Sequence, residues 1–266
     1  MALDGDLEDT DTSEEINLEG FKPDQRYLRG LYSGGTLAYE ALLILDQYLS
    51  SVYSNVPINK ELKLENSLVS QEHTIVDLGE DEFTVGRLHP MMDNELRIKR
   101  LEMEAEDPEV ALILMDVVLG HGSHPDPAAE LGPAIKAAKE TAVKAKRRLD
   151  VIITLSGTDL DPQGMTDQQE VLEKAGAQVF LSSDRAARYA ARLVRQLNKT
   201  SDSQPTTIFK AVDLASFQGE FAAINVGLES FTDSLENQDA SVIQVDWKPA
   251  AGGNADLAAL LEKMKG

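Results

Sequence analysis

Apolar residues follow two alternating spacings between residues 36 and 197, and this pattern predicts helices and strands in turn. From residue 36 to about residue 52, apolar side chains recur at helical spacing. Later, short continuous apolar runs bounded by Gly or Pro predict buried strands. The predicted strands are 73–79, 110–120, 150–157 and 177–182, and the predicted helices are 36–52, 90–104, 127–148, 166–175 and 184–197. Such alternation is typical of an α/β fold in which a parallel sheet carries helices on both faces.

The pattern also divides the chain into segments. We predict that residues 1–26 form an acidic, disordered tail and that residues 27–198 form the parallel-sheet domain. A polar, Pro-containing stretch within 199–220 predicts a linker. Residues 221–266 predict a small βαβα unit, with strands at 221–227 and 241–247 and helices to about residues 237 and 264. This unit is too small to hold a full sheet, so we expect it to dock on a partner chain or on the first domain.

Composition restricts the partners. The formal net charge is -21, and residues 1–20 hold eight Asp or Glu and no Lys or Arg. Such acidity argues against nucleic acid or an anionic membrane as a partner, because both would repel the chain. There is no cysteine, which excludes disulfides and thiolate chemistry. The amino end lacks a signal-peptide pattern, and no apolar run approaches the roughly 20 residues that span a bilayer. We expect a soluble cytoplasmic protein.

The stretch SGGTLAYEAL (33–42) places two glycines directly before a helical run. One interpretation is an ordinary helix start. The other is a cradle for an anion, because the first amides of a helix are free and carry partial positive charge. Gly34 and Gly35 would let an oxyanion approach the backbone, and Ser33 and Thr36 would add hydroxyl donors.

Polar side chains gather in the loops that follow the predicted strands, where ligands bind in open parallel sheets. These residues are Arg87, His89, His121, His124, Asp126, Asp159 and Asp161. His121 and His124 have the spacing H-x-x-H and could bind a divalent metal, but this spacing in a Gly- and Pro-containing loop is weakly diagnostic, and polar residues that shape a turn are the commoner case. Asp159 and Asp161 could bind a cation or cap a helix. Arg87 and His89 could together bind an anion, although an Arg that is simply exposed on the surface is the commoner case. We therefore assign no metal site.

Several motifs resemble the FdrA family, whose members are related to the alpha subunit of succinyl-CoA synthetase. They are SGGTLAYEAL, DLGEDEFTVGRLHPMMD, LILMDVVLGHGSHPDP and SGTDLDPQGMTDQQEVLEKAGAQV, in the family's order, within about residues 27–197. The resemblance implies a flavodoxin-like, three-layer domain of the CoA-ligase type. It also implies that a turn of the SGT type opens a helix whose backbone amides hold a phosphate.

The chain departs from the synthetases at two points. They transfer phosphate through a histidine in a GHAG-type loop, whereas the corresponding loop here, SGTDLDPQGM (156–165), has no histidine. We therefore expect no phosphohistidine at that position. The full-length family also carries an upstream CoA-binding domain, and only an acidic segment precedes residue 27 here. No cofactor is assigned to this chain itself, and CoA or a nucleotide would be held by partner chains.

The resemblance implies a subunit of an enzyme like oxamate carbamoyltransferase, which serves purine (allantoin) catabolism and uses carbamoyl phosphate. The expected substrate is a small phosphate or carboxylate. Residues 224–253 also resemble a stretch at the end of FdrA-type proteins and at the start of their YlbE-like partner family, which implies a homo- or hetero-oligomer. The expected roles are an anion cradle at Ser33, Gly34, Gly35 and Thr36, a charged side at Arg87 and His89, and polar groups at His121, His124 and, more weakly, Asp159. Two alternatives are an acyl-CoA synthetase-like subunit of the succinyl-CoA ligase alpha type and a non-catalytic scaffold.

Overall fold

The structure is a computed structural model that describes residues 15–198 and 222–248, together with Leu260 and Lys263. The chain divides into two compact units, Met1–Ile208 and Phe209–Gly266, and each is described by itself. The strands of the first unit are β1 (Tyr27–Tyr32), β2 (Tyr53–Ser54), β3 (Thr74–Asp77), β4 (Val110–Val118), β5 (Asp150–Ser156) and β6 (Gln178–Phe180). Its helices are α1 (Gly35–Leu45), α2 (Asp81–Thr84), α3 (Glu95–Glu106), α4 (Pro127–Lys144), α5 (Met165–Lys174) and α6 (Ser183–Leu197).

The six strands form one parallel sheet in the order β2-β3-β1-β4-β5-β6. One face packs on α1 and α6, and the other packs on α3, α4 and α5. The predicted three-layer α/β fold is therefore confirmed, with a flavodoxin-like strand order. The order reverses direction between β1 and β4, and in open α/β sheets ligands bind beside the carboxyl ends of the strands at such a point.

Strand β1 lies at the centre of the sheet, although the hydrophobic pattern did not predict it. Its sequence is YLRGLY, and Arg29 and Gly30 interrupt the apolar run. Both residues face the interior: Arg29 is buried, and a Cβ on Gly30 would clash with Ile75 Cδ1 of the adjacent strand. Because β1 leads directly into Ser33, the glycine-containing turn lies at the carboxyl edge of the central strand.

The helices predicted at 36–52, 90–104 and 127–148 have different bounds in the structure, and the last of them ends at Lys144. The first ends at Leu45 rather than near residue 52, because the chain turns at Asp46 and still directs Leu49 and Val52 into the core. The second begins at Glu95 rather than at residue 90, because the residues after His89 first form a hydrogen-bonded turn. In the first segment, apolar spacing therefore continues through a turn that faces the core.

Residues 15–26 are packed against the sheet domain within the first unit. This corrects the prediction of a disordered tail for this part of residues 1–26. Gln25 is buried and donates from Nε2 to the carbonyl oxygens of Val110 (2.8 Å) and Arg148 (2.7 Å). The Arg148 guanidinium lies 4.5 Å from the ring centre of Phe21 and donates to the Glu19 carbonyl at 2.9 Å. Residues 1–14 lie outside the described part of the chain.

The second unit contains β7 (Ala222–Asn225), α7 (Glu229–Glu236) and β8 (Ser241–Gln244), and the two strands pair in parallel. Asn225 Nδ2 donates to Gln244 Oε1 at 2.7 Å and to Thr232 Oγ1 at 3.1 Å, which joins the helix to both strands. The predicted linker falls outside the described residues, as does most of the predicted last helix. Within the described residues, no helix has both the length and the apolar composition needed to cross a membrane.

A buried ion cluster ties β1 to α3. Glu104 Oε2 accepts from Arg29 Nε at 3.0 Å, and Glu104 Oε1 accepts from Arg100 Nη2 at 2.7 Å. Arg29 also pairs with Asp107 at 2.9 Å. Glu104 thus balances two guanidinium groups that burial has removed from water.

We expect Glu104→Gln to lower the free energy of unfolding by about 3 kcal/mol, because it leaves buried positive charge uncompensated. Urea denaturation would measure the change. Glu102→Gln is the matched control, because Glu102 is exposed on the same helix. An equal effect of the two substitutions would contradict the role of the cluster.

His73 adds a pH dependence to stability. Its Nδ1 accepts from the Leu28 amide at 3.2 Å, and its pKa is lowered from 6.5 to about 4, mainly by burial and further by the Arg29 charge. The unfolded chain therefore binds a proton near pH 6.5 that the folded chain resists until about pH 4, so stability falls as the pH falls through this window.

Between about pH 7.5 and about pH 5, we expect this residue to account for about 1–2 kcal/mol of lost stability. His73→Asn keeps an acceptor but does not titrate, so it should lose less stability than the parent over this interval. Urea midpoints at both pH values would test this, with His121→Asn, at an exposed histidine, as the control.

Candidate functional site

The amino end of α1 carries no side-chain cap among the described residues. Gly34 is the N-cap, with an extended backbone (φ -166°), and the first turn of the helix contains no acidic residue. Gly35 and Thr36, the first two helical residues, are exposed. Because the first amides of a helix have no acceptor within it, this end presents N–H donors at the carboxyl edge of the sheet.

Ser33 anchors this turn from below. Its amide donates to Asp116 Oδ1 at 2.8 Å, and its hydroxyl donates to Asp116 Oδ2. Both residues are about 1% exposed. The donors of Ser33 therefore face the buried carboxylate of β4, and Gly34, Gly35 and Thr36 are the parts of the predicted cradle that reach the surface.

Arg97 of α3 holds the same carboxylate. Its Nη2 lies 3.1 Å from Asp116 Oδ1 and also donates to the Asp116 carbonyl oxygen. Burial lowers the pKa of Arg97, and the negative charge of Asp116 partly offsets that effect. Asp116 thus joins the β1–α1 turn to the helix on the opposite face of the sheet.

Polar contacts continue from Arg97 to the β4–α4 loop. Asn94 Oδ1 lies 3.5 Å from Arg97 Nη1, and Asn94 Nδ2 donates to Glu130 Oε2 at 3.1 Å. Glu130 Oε1 lies 3.3 Å from His124 Nε2. A chain of side chains therefore connects the start of α1 with one of the predicted histidines, in the order Ser33, Asp116, Arg97, Asn94, Glu130 and His124.

Asp77 and His89 border the other side of the turn. Asp77 Oδ1 accepts from the Gly79 amide at 2.8 Å, and Oδ2 lies 3.0 Å from the position that a Cβ on Gly35 would occupy. His89 Nε2 lies 2.9 Å from the corresponding position on Gly79, and its Cε1 lies 4.0 Å from that on Gly34. The structure therefore places His89 beside the predicted cradle, together with Asp77, which begins one of the family-like motifs but had no predicted role.

The pKa of Asp77 is raised, first by burial and then by the negative charges of Glu80 and Asp116. The Gly79 amide and His89 act in the opposite direction. The Asp77 carboxyl beside the first turn of α1 is therefore easier to protonate than an ordinary aspartate.

The β4–α4 loop is fastened by a residue that sequence reasoning missed. Gln163 donates from Nε2 to the carbonyl oxygens of Gly120 (2.7 Å) and His124 (3.0 Å), and its Oε1 accepts from the Gly120 amide at 3.1 Å. His124 is partly buried, whereas His121 is exposed. In the sequence, Gln163 is recognisable only as a residue of a polar loop, and such a position does not reveal a hydrogen-bond partner some 40 residues away.

The remaining predicted polar residues have different surroundings. Asp126 caps α4 by accepting from the Ala129 amide at 3.2 Å, and Asp161 accepts from the Thr158 amide at 2.6 Å, so both fit the capping and turn interpretation. Arg87 and Asp159 are exposed. In residues 15–198 and 222–248, no three His, Asp or Glu side chains are grouped in a way that could hold a metal ion.

Comparison with known proteins decides the family. The model of the CoA-ligase family matches residues 31–193, which run from the end of β1 through most of α6. The chain belongs to the CoA-ligase family. An uncharacterized protein of Escherichia coli K12, YahF, is 43% identical over 162 residues, which are 61% of this chain and 32% of that protein. The chain thus spans about a third of the length of this relative.

The match agrees with the architecture above. The CoA-ligase domain comprises the parallel sheet and the glycine turn at its switch point, so the CoA-ligase part of the sequence-based resemblance is confirmed. The narrower assignment to the FdrA group stays a prediction.

A substitution at Gly79 would test how closely the backbone segments pack at this edge of the domain. A Cβ there would lie 2.7 Å from the Ser33 carbonyl oxygen, which is backbone and cannot rotate away. We expect Gly79→Ala to cost about 1–3 kcal/mol of stability in thermal or urea unfolding. Gly122→Ala is the matched control, because no atom lies within 4 Å of the added Cβ position, and it should leave stability nearly unchanged. Equal effects would contradict the close approach.

Proposed function

We propose that this CoA-ligase domain binds the phosphoryl group of an acyl- or carbamoyl-phosphate-type substrate at the amino end of α1. It would act as one subunit of a transferase or ligase that partner chains complete. The observation that carries the proposal is the uncapped start of α1, which has exposed Gly35 and Thr36 and no acidic residue in its first turn, at the switch point of the sheet.

The physical argument concerns charge. Free amides at a helix start carry about half a positive charge and bind phosphate without a lysine or arginine, which matters in a chain with a net charge of -21. Gly34 and Gly35 add no side chain that would separate an oxyanion from the backbone. Preorganised donors of this kind stabilise negative charge that develops on a phosphate leaving group.

The side chains around the cradle define proposed roles. His89 Cε1 lies 4.0 Å from where a Cβ on Gly34 would lie, and His89 would polarise or orient the substrate. Arg87 would supply positive charge from the same loop, and His121 and His124 would act as polar groups at the β4–α4 side. Asp159 is the weakest of these assignments, since it is exposed on the β5–α5 loop.

The reaction we favour is carbamoyl transfer of the oxamate carbamoyltransferase type, within an FdrA-like subunit. Two observations support it: the order of the family-like motifs, and a β5–α5 loop, residues 157–164, that contains no histidine for a covalent phosphoenzyme. A transfer between carbamoyl phosphate and an acceptor needs only positioning and stabilisation of charge. We also propose a YlbE-like partner subunit, on the basis of residues 224–253.

A second candidate is an acyl-CoA synthetase-like subunit, which the family match favours. CoA and a nucleotide would then be bound by partner chains. A purely structural subunit is the third possibility, but it has no need of an uncapped glycine turn beside a buried carboxyl group.

Thermal unfolding with phosphate, carbamoyl phosphate, CoA or ADP would test the proposal. A ligand at about 100 times its dissociation constant adds about 2.7 kcal/mol to the stability of the folded state. We expect this stabilisation with phosphate and carbamoyl phosphate. Stabilisation by CoA alone would contradict the carbamoyl phosphate assignment and favour the synthetase-like one.

Thr36→Asp would test the position of the anion. An acidic residue in the first turn suits the helix dipole, so the fold should be retained, but its carboxylate would compete for the amides. We expect stabilisation by phosphate to be lost. Ser230→Asp is the matched control, because Ser230 is exposed at the second position of α7 in the other unit. Unchanged stabilisation in Thr36→Asp would remove the cradle from the proposal.

A further inference from the structure

Asp77 directs one carboxyl oxygen toward the start of α1. It is the last residue of β3, pairs in register with Tyr32 of β1, and is 2% exposed. The Gly79 amide donates to Oδ1, whereas Oδ2 faces Gly35, 3.0 Å from where a Cβ would lie. No hydrogen bond to Oδ2 is formed by the described residues.

The groups around Asp77 disfavour its negative charge. The negative charges of Glu80, three residues later in the chain, and of Asp116 on β4 both act against it. Asn55 donates from Nδ2 to the Asp77 carbonyl oxygen and to Glu82 Oε1 of α2, and its Oδ1 accepts from the Asp77 amide. The nearby group of opposite sign is His89, and Arg97 is already paired with Asp116. Burial and this excess of carboxylates raise the pKa of Asp77.

We infer that Asp77 couples the binding of a tetrahedral oxyanion at the amino end of α1 to the uptake of one proton. The protonated carboxyl donates a hydrogen bond from Oδ2 to the oxyanion, whereas the ionised carboxylate repels it. The inference rests on the proposed function and deepens it, because it assigns a donor that neither the motifs nor the family match indicated.

The coupling has a defined sign. A protonated carboxyl is a donor, and an ionised one is only an acceptor, so an oxyanion binds the protonated form more tightly. Binding and protonation must then favour each other reciprocally. Affinity should therefore be highest at low pH and fall as the pH rises through the pKa of Asp77.

Sulfate is the suitable probe, because its charge does not change across the pH range of the experiment, as that of phosphate does. Isothermal titration of sulfate into the full chain would be performed from about pH 5 to about pH 8. Above the pKa of Asp77, the dissociation constant of the parent protein should rise toward about tenfold per pH unit, the value for one linked proton. Asp77→Asn provides a permanent amide donor and should make the dissociation constant nearly independent of pH.

Two variants isolate the carboxyl of Asp77. His89→Gln removes the neighbouring imidazole, and it should retain the rise with pH. Glu80→Gln removes an exposed carboxylate three residues after Asp77, and it should also retain the rise. Thermal unfolding without sulfate, at each pH, would establish that every variant is folded.

The outcomes separate the two proposals. A pH dependence that persists in Asp77→Asn, or that disappears only in His89→Gln, would overturn the role of Asp77 and leave the cradle intact. Sulfate binding without any pH dependence in the parent protein would do the same. Failure of both the parent protein and Asp77→Asn to bind sulfate at any pH would overturn the anion site itself, and this inference with it.

A second measurement does not depend on any variant. Titrations of the parent protein in two buffers with different ionisation enthalpies give the number of protons taken up with sulfate. We expect uptake that approaches one proton above the pKa of Asp77. Zero uptake across the range would overturn the inference.

Discussion

The carboxyl edge of this sheet depends on the buried carboxylate of Asp116. A charge removed from water is tolerated only where other groups compensate it, and here Ser33 and Arg97 do so from two different elements. The same contacts fix where β1 ends and α1 begins. The position of the helix start, and so of its first amides, is thus fixed by a buried interaction.

The loops at this edge are held in place rather than left to the solvent. Gln163 fastens the β4–α4 loop, and Asp126 both caps α4 and accepts from Gln168 Nε2 at 2.9 Å. On the other side, Asn55 brackets Asp77 through its amide and carbonyl. A site assembled from fixed elements can present donors and acceptors without rearranging when a ligand arrives, which lowers the cost of binding.

The sequence predicted what local patterns encode. Apolar runs identified β3 to β6, and paired glycines before a helical run identified the turn at residues 34–35. Strand β1 was missed because Arg29 and Gly30 break its pattern, although each suits a partner on a neighbouring element. Asp77 and Asp116 were missed because their importance comes from pairing in space: Ser33 and Asp116 are 83 residues apart. No spacing rule reports such a contact.

The contacts of Gln25 bear on where this module can be divided. The family similarity begins at residue 31, yet the carbonyl oxygens of Val110 and Arg148 obtain a donor from a side chain upstream of that point. A fragment cut at the limit of the similarity would remove the Gln25 donor from both carbonyl oxygens and remove Phe21, whose ring covers the Arg148 guanidinium. The packed first unit therefore includes residues upstream of the family match, and Phe21 and Gln25 belong to it rather than to a spacer.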